Sequence, residues 1–325
     1  MSKSDPIESA LHAISQLRAA DSDEQAAKDL QPYLRHRSNL VVAKAAKVAG
    51  ELRLSKLVPE LVAAFKRFMK DPAKLDKRCA AAIEIVAALY QFDYVDPDVY
   101  LRGLHHVQME PSFGESVDAA APLRGISAQG LLRTRYRHAL EEVVPLLVDP
   151  EPPARVGVVR ALATNGGDAG LLLLRLKALT GEPDFDVLAE CFAGLLTASP
   201  ERSLEFVARF VNDEQEITAE AAIWALGQSR LLAAFEVLQE KWERTADRPT
   251  RKVLMTALAA SRLPEALEFL YAQLREANLQ TASDVIVALA PYAAVESITQ
   301  AVRSAVNERA QPKLIEIFKS EFRGL

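Results

Sequence analysis

Only two cysteines occur in 325 residues, Cys79 and Cys191, far apart and each inside an apolar stretch. Thiols this sparse exclude a disulfide framework and suit a reducing compartment, so a cytoplasmic protein is expected. Aromatic residues make up 6% of the chain, and 13 glycines are few for its length, which argues against a β-rich or loop-rich architecture. No apolar run approaches the roughly 20 residues that cross a bilayer. The opening Met-Ser-Lys-Ser-Asp-Pro has no apolar core of the kind a secretory signal carries, so neither membrane insertion nor export is expected. A basic excess is also missing. With 39 Lys and Arg against 44 Asp and Glu the net charge is −5, which lacks the footprint of a nucleic-acid binder.

What the chain does have is aliphatic residues and periodicity. Half of it is hydrophobic, carried mostly by Ala, Leu and Val, residues that suit helices and their close packing. An Ala-Leu or Gly-Leu step recurs at Ala161-Leu162, Gly194-Leu195, Ala225-Leu226, Ala257-Leu258 and Ala288-Leu289. Successive leucines are 33, 31, 32 and 31 residues apart, a period that marks an internal repeat. Within one unit, 142–148 reads as a first helix and Asp149-Pro-Glu-Pro-Pro153 as a break. Residues 154–163 read as a second helix, with Val158, Ala161 and Leu162 on one face. Asp5-Pro6, Asp96-Pro97 and Ser199-Pro200 are helix starts, and Ser22 with Gln25 fits a capping box.

Carried along the chain, the frame predicts helix pairs at 56–70 and 75–90, 97–107 and 118–133, 138–148 and 153–164, and 168–179 and 185–197. The remaining pairs are 200–212 and 217–228, 230–245 and 249–261, 263–276 and 280–291, and 294–306 and 309–322. Helices at 7–19, 23–36 and 39–53 precede them. No segment alternates with period two, so no strand is expected. The expected organisation is one repeat array over 1–325, with capping helices and a first repeat in 1–55. An irregular repeat with an insertion follows at 90–138, and regular repeats of 31–33 residues fill 139–325.

Three segments carry a resemblance: Asp149 to Leu162, Asp213 to Gly227, and the Val- and Ala-rich run Val41 to Gly50. The chain resembles the HEAT-repeat family, in particular the short bacterial repeats of phycobilisome-lyase-like proteins. That resemblance implies an all-α, right-handed α-solenoid of stacked helical hairpins with second helices on the concave side. It also implies a polar ladder between an Asp in the turn and a basic residue early in the second helix. Asp149 with Arg155 and Asp71 with Lys77 share the six-residue separation. The His-Glu dyads of HEAT-repeat deoxyhypusine hydroxylases, which bind a di-iron centre, are missing, because none of the five histidines is followed by Glu.

No residue pattern points to chemistry. His105 and His106 diverge by about 100° on a helix and cannot grip a metal together. Asn165-Gly-Gly-Asp-Ala-Gly170 follows a helix and has no lysine at phosphate-loop spacing, so it reads as a helix-ending turn. Catalytic residues, metals and cofactors are therefore not expected. Two binding candidates stand out. One is the irregular segment 90–138, with four of the seven tyrosines and with Arg133, Arg135, Tyr136 and Arg137 leading into the next helix. The other is Trp224, two residues before a repeat leucine, with Glu220 one turn earlier and Lys252 in the next unit. Its counterparts are Arg160, Ala193, Thr256 and Val287.

Charge is segregated. Arg35 to Arg78 holds 12 Lys and Arg against 4 Asp and Glu, and Gly181 to Glu220 holds 2 Arg against 10 acids. The expected function is a non-enzymatic scaffold that binds a protein or peptide, with an acidic partner at Arg133, Arg135 and Arg137. The alternatives are a nucleic-acid protein resembling HEAT-like alkylpurine DNA glycosylases and a chromophore-lyase-like chaperone. For the former, Lys44, Lys47, Lys77, Arg78 and the three arginines would contact phosphates. The acidic total weighs against it.

Overall fold

The computed structural model describes residues 6–17, 22–112, 114 and 116–322. These residues are almost entirely helical. The helices are α1 (Pro6–Gln16), α2 (Asp23–Leu34), α3 (Asn39–Glu51), α4 (Val58–Phe68), α5 (Pro72–Leu75), α6 (Ala80–Gln91) and α7 (Pro97–Leu104). A short antiparallel hairpin, β1 (Met109–Pro111) and β2 (Ser116–Asp118), comes next. Then follow α8 (Ala121–Arg133), α9 (Ala139–Val143), α10 (Pro152–Asn165), α11 (Gly167–Thr180), α12 (Phe185–Ala198), α13 (Pro200–Ala208) and α14 (Glu216–Ser229). The last are α15 (Leu232–Arg244), α16 (Arg248–Ser261), α17 (Pro264–Glu276), α18 (Leu279–Leu289), α19 (Glu296–Arg309) and α20 (Pro312–Glu321). No helix is long and apolar enough to cross a membrane among the described residues. The chain divides into two compact units, Met1–Leu174 and Arg175–Leu325.

Local chemistry explains the boundaries. Ser22 Oγ accepts the N–H of Gln25 at 3.3 Å, and Asp96, Asp184, Asp247 and Asn278 cap their helices in the same way. Such caps satisfy donors that no helical carbonyl can reach. Pro97, Pro152, Pro200, Pro264 and Pro312 sit in the first turn, where no N–H is needed. Asp5 and the end of the expected helix 7–19 lie outside the described residues. In the glycine turn, Gly167 takes the left-handed conformation with φ +56°.

Three expectations need correction. The chain does contain strands, and β2 occupies 116–118, so the helix expected from 118 begins at Ala121. The helix expected at 75–90 begins at Ala80, because Arg78 and Cys79 both adopt left-handed backbone, with φ 60° and 50°. Pro145 has no N–H to continue α9, and Val144–Val148 tightens into a 3₁₀ turn.

Within the first unit, α3 packs on α6, α6 on α8, and α8 on α10. The α8–α10 contact is backbone to backbone, since a Cβ on Gly157 would overlap the main chain of Gly125. Within the second unit, alternate helices form two ranks. α12, α14, α16, α18 and α20 pack in succession, as do α13, α15, α17 and α19. Leu195, Leu226, Leu258 and Leu289, predicted from the spacing, are all fully buried in the first of these ranks. A helix turned over by one residue would expose them, so their shared burial fixes the register of the rank.

Candidate functional site

Side-chain contacts tie the turn at Asp149 to its surroundings. The Asp149 carboxylate accepts the N–H of Glu151 at 2.9 Å and takes a bidentate contact from Arg124 at 2.8 and 2.9 Å. Arg155 donates to the backbone carbonyls of Asp149 and Pro150, at 2.7 and 3.0 Å. Arg251 repeats the six-residue reach to the carbonyl of Thr245 at 2.8 Å. Asp71 and Lys77 are exposed, and the carboxylate that ties this turn together is Asp76, which is buried. It accepts the N–H groups of Ala81 and Ala82 and the amide of Asn39. Neighbouring helices are thus linked by Asn39–Asp76, Arg124–Asp149 and Arg248–Asp284, three contacts that sequence spacing did not single out.

Arg124 also pairs with Asp118 at 2.6 Å, so one guanidinium joins β2 to the turn before α10. Burial alone would raise the Asp118 carboxyl. The N–H groups of Gln108 and Ala120 and the Arg124 guanidinium outweigh it and hold the carboxyl below its ordinary value. Beside this network lies an open hollow of about 470 Å³ lined by Arg78, Glu110, Ser112, Val117, Glu151 and Pro153. Cys79 gives it no nucleophile, because burial and then Asp76 push its thiol up to about 12.

The irregular segment is held together by the residues expected to bind. Arg133 stacks 4.7 Å over Tyr90, pairs with Asp93 and donates to the Tyr90 carbonyl at 3.1 Å, closing the end of α6. Tyr100 is fully buried against Gly130, and its hydroxyl donates to the Tyr94 carbonyl at 2.9 Å. Arg137 contacts His138 at 2.6 Å, and the Tyr136 ring lies edge-on to the same imidazole. Arg135 alone of the three arginines is exposed without a partner among the described residues.

The second candidate stands differently. Trp224 and Glu220 lie one turn apart on α14, both partly exposed. Neither has a hydrogen-bond, ion-pair or ring partner among the described residues. Trp242, the other tryptophan, is buried, with Arg251 stacked at 4.7 Å and Phe269 edge-on. Lys252 on α16, the cation expected beside Glu220, pairs instead with Asp284 at 3.7 Å, where Arg248 already makes a bidentate contact. Two cations thus converge on one carboxylate and Glu220 is left uncompensated. Burial, and then Glu216, push the Glu220 carboxyl above its ordinary value. Of the residues that share Trp224's place in the frame, Ala193 is half-buried and Thr256 and Val287 are exposed. Ile217, two turns before Trp224 on α14, is exposed as well. Among the described residues, no group of three or more His, Cys, Asp or Glu is placed to hold a metal ion. No protein-family model matches the chain, and comparison with the curated proteins gives no significant match.

Proposed function

We propose that this chain is a HEAT-type helical-repeat scaffold, a right-handed α-solenoid without enzymatic activity, that binds a protein or peptide partner. Its binding face is the row of α12, α14, α16 and α18 centred on Trp224. One observation carries the reading. A partly exposed tryptophan stands without a hydrogen-bond, ion-pair or ring partner among the described residues, one turn from a carboxylate that likewise has none. Large aromatic side chains in that state are the usual anchors of interfaces, because they bury much area for little side-chain entropy. The 31–33-residue spacing and the in-register burial of its leucines support the repeat architecture.

The segment at 133–137 is the weaker candidate, because Arg133 and Arg137 already have partners within the chain. Selection of a random-peptide display library against the full chain tests the reading. Enriched peptides should bind the wild type, and Trp224→Ala, folded by circular dichroism, should lose them by about tenfold or more, the scale of a hot-spot residue. Enrichment that ignores Trp224 would place the binding face elsewhere.

A further inference from the structure

We infer that the partner segment bound at this face is basic, with a lysine or arginine side chain seated between the Glu220 carboxylate and the indole of Trp224. The inference rests on the docking reading above and adds the chemistry of the occupant. Glu220 and Trp224 are four residues apart on α14, so their side chains rise on the same face. Glu216 lies one turn further back on that face. The neighbouring cations are unavailable, since Lys252 and Arg248 are both drawn to Asp284.

The chain supplies its own example of the missing contact. Arg251 stacks over Trp242, and four further Arg–aromatic pairs occur among the described residues, each closed within the fold. Trp224 is partly exposed and has no cation over its ring among the described residues. The surrounding sequence adds a long-range bias, because Gly181 to Glu220 carries 10 acids against 2 Arg. A field of that sign draws basic segments and repels acidic ones. Ile217, exposed two turns before Trp224 on the same helix, provides apolar ground beside the charged step, so the fitting ligand carries aliphatic side chains next to its cation.

Three labelled twelve-residue peptides test this by fluorescence anisotropy against the full chain. They share leucines at fixed positions and differ only in carrying Arg, Gln or Glu between them. The Arg peptide should bind roughly three- to tenfold tighter than the Gln peptide, the range of one cation–π contact with one exposed ion pair. The Glu peptide should bind weakest. Glu220→Gln and Trp224→Leu should each remove part of the Arg preference, and Trp224→Phe should keep more of it than Trp224→Leu. The double variant Glu220→Gln with Trp224→Leu should bring the Arg peptide down to the level of the Gln peptide. Equal binding of the Arg and Gln peptides overturns the inference. So does an Arg preference that is undiminished in the double variant Glu220→Gln with Trp224→Leu, which would reflect diffuse attraction to the acidic block. Equal binding that Trp224→Ala abolishes leaves the docking reading standing and the cation inference refuted. Binding of none of the three peptides refutes both.

Discussion

At the scale of single residues, the chain places unusual weight on a few side chains. Arg124 neutralises two buried carboxylates, Asp118 and Asp149, with 5% of its side chain exposed. Arg124→Leu leaves both without their cation and should cost about 3–5 kcal/mol, read from urea melts at neutral pH. The same network sets the acid limb of stability. The folded Asp118 carboxyl titrates below its unfolded value, so its contribution is present above the unfolded value of about 3.9 and is lost as pH falls through the folded one. Melts between pH 6 and 2 should therefore show a shallower acid decline in Asp118→Asn, from a lower starting stability.

Glu220 has the opposite sign, because its folded carboxyl lies above the ordinary range and its charge opposes folding at neutral pH. Glu220→Gln should raise the melting temperature at pH 7 while weakening the binding of a basic partner. A stability gain joined to a binding loss is the signature of a residue kept for recognition. These residues were only partly legible in the sequence. Arg155 and Asp149 were visible from their spacing. Arg124 was not, because its partners lie 6 and 25 positions away on different elements and no periodicity connects them.

At the scale of elements, the sequence was legible wherever apolar spacing and capping agreed. The boundaries of α12, α14, α16 and α18 follow the frame set by the Ala-Leu and Gly-Leu steps to within one or two residues, with the last turn of α18 tightened into 3₁₀. The frame was lost where other physics decided. The hairpin has three-residue strands, too short to alternate visibly, and it is held by Gln108, whose N–H reaches Asp118 at 2.9 Å. The left-handed Arg78 and Cys79 delay the start of α6 at non-glycine positions that no turn rule marks.

Leu226 is buried between neighbours of its rank, so Leu226→Ala should cost about 2–5 kcal/mol through the cavity it leaves. Gly157→Ala should cost about 1–3 kcal/mol, because α8 and α10 must separate to admit a methyl group. Both are read from thermal or urea unfolding, and an unchanged Leu226→Ala melt would put the frame in the wrong register.

At the scale of the whole molecule, segregated charge and recurrent helices are the features on which the proposed binding role rests. The chain carries −5 overall, yet Arg35 to Arg78 and Gly181 to Glu220 differ in sign. A partner held near the acidic block should bind more weakly as salt rises from about 0.05 to 0.3 M, as exposed charges are screened. The sequence singled out Trp224 and Glu220 as candidates from their place in the repeat frame. It could not show that Lys252 turns away to Asp284, since that choice depends on how α16 and α18 pack. Nor could it show the stacking of Arg133 on Tyr90, which spans 43 positions of the chain.

Hydroxyl-radical footprinting of the full chain, with and without a display-selected peptide, tests the central claim most directly, because Trp224 and Tyr136 are both reactive side chains that report their own exposure. Binding at the proposed face predicts that Trp224 oxidation slows several-fold while Tyr136 oxidation is unchanged. Protection of Tyr136 with Trp224 unaffected would contradict the account and move the binding surface to the segment between α8 and α9.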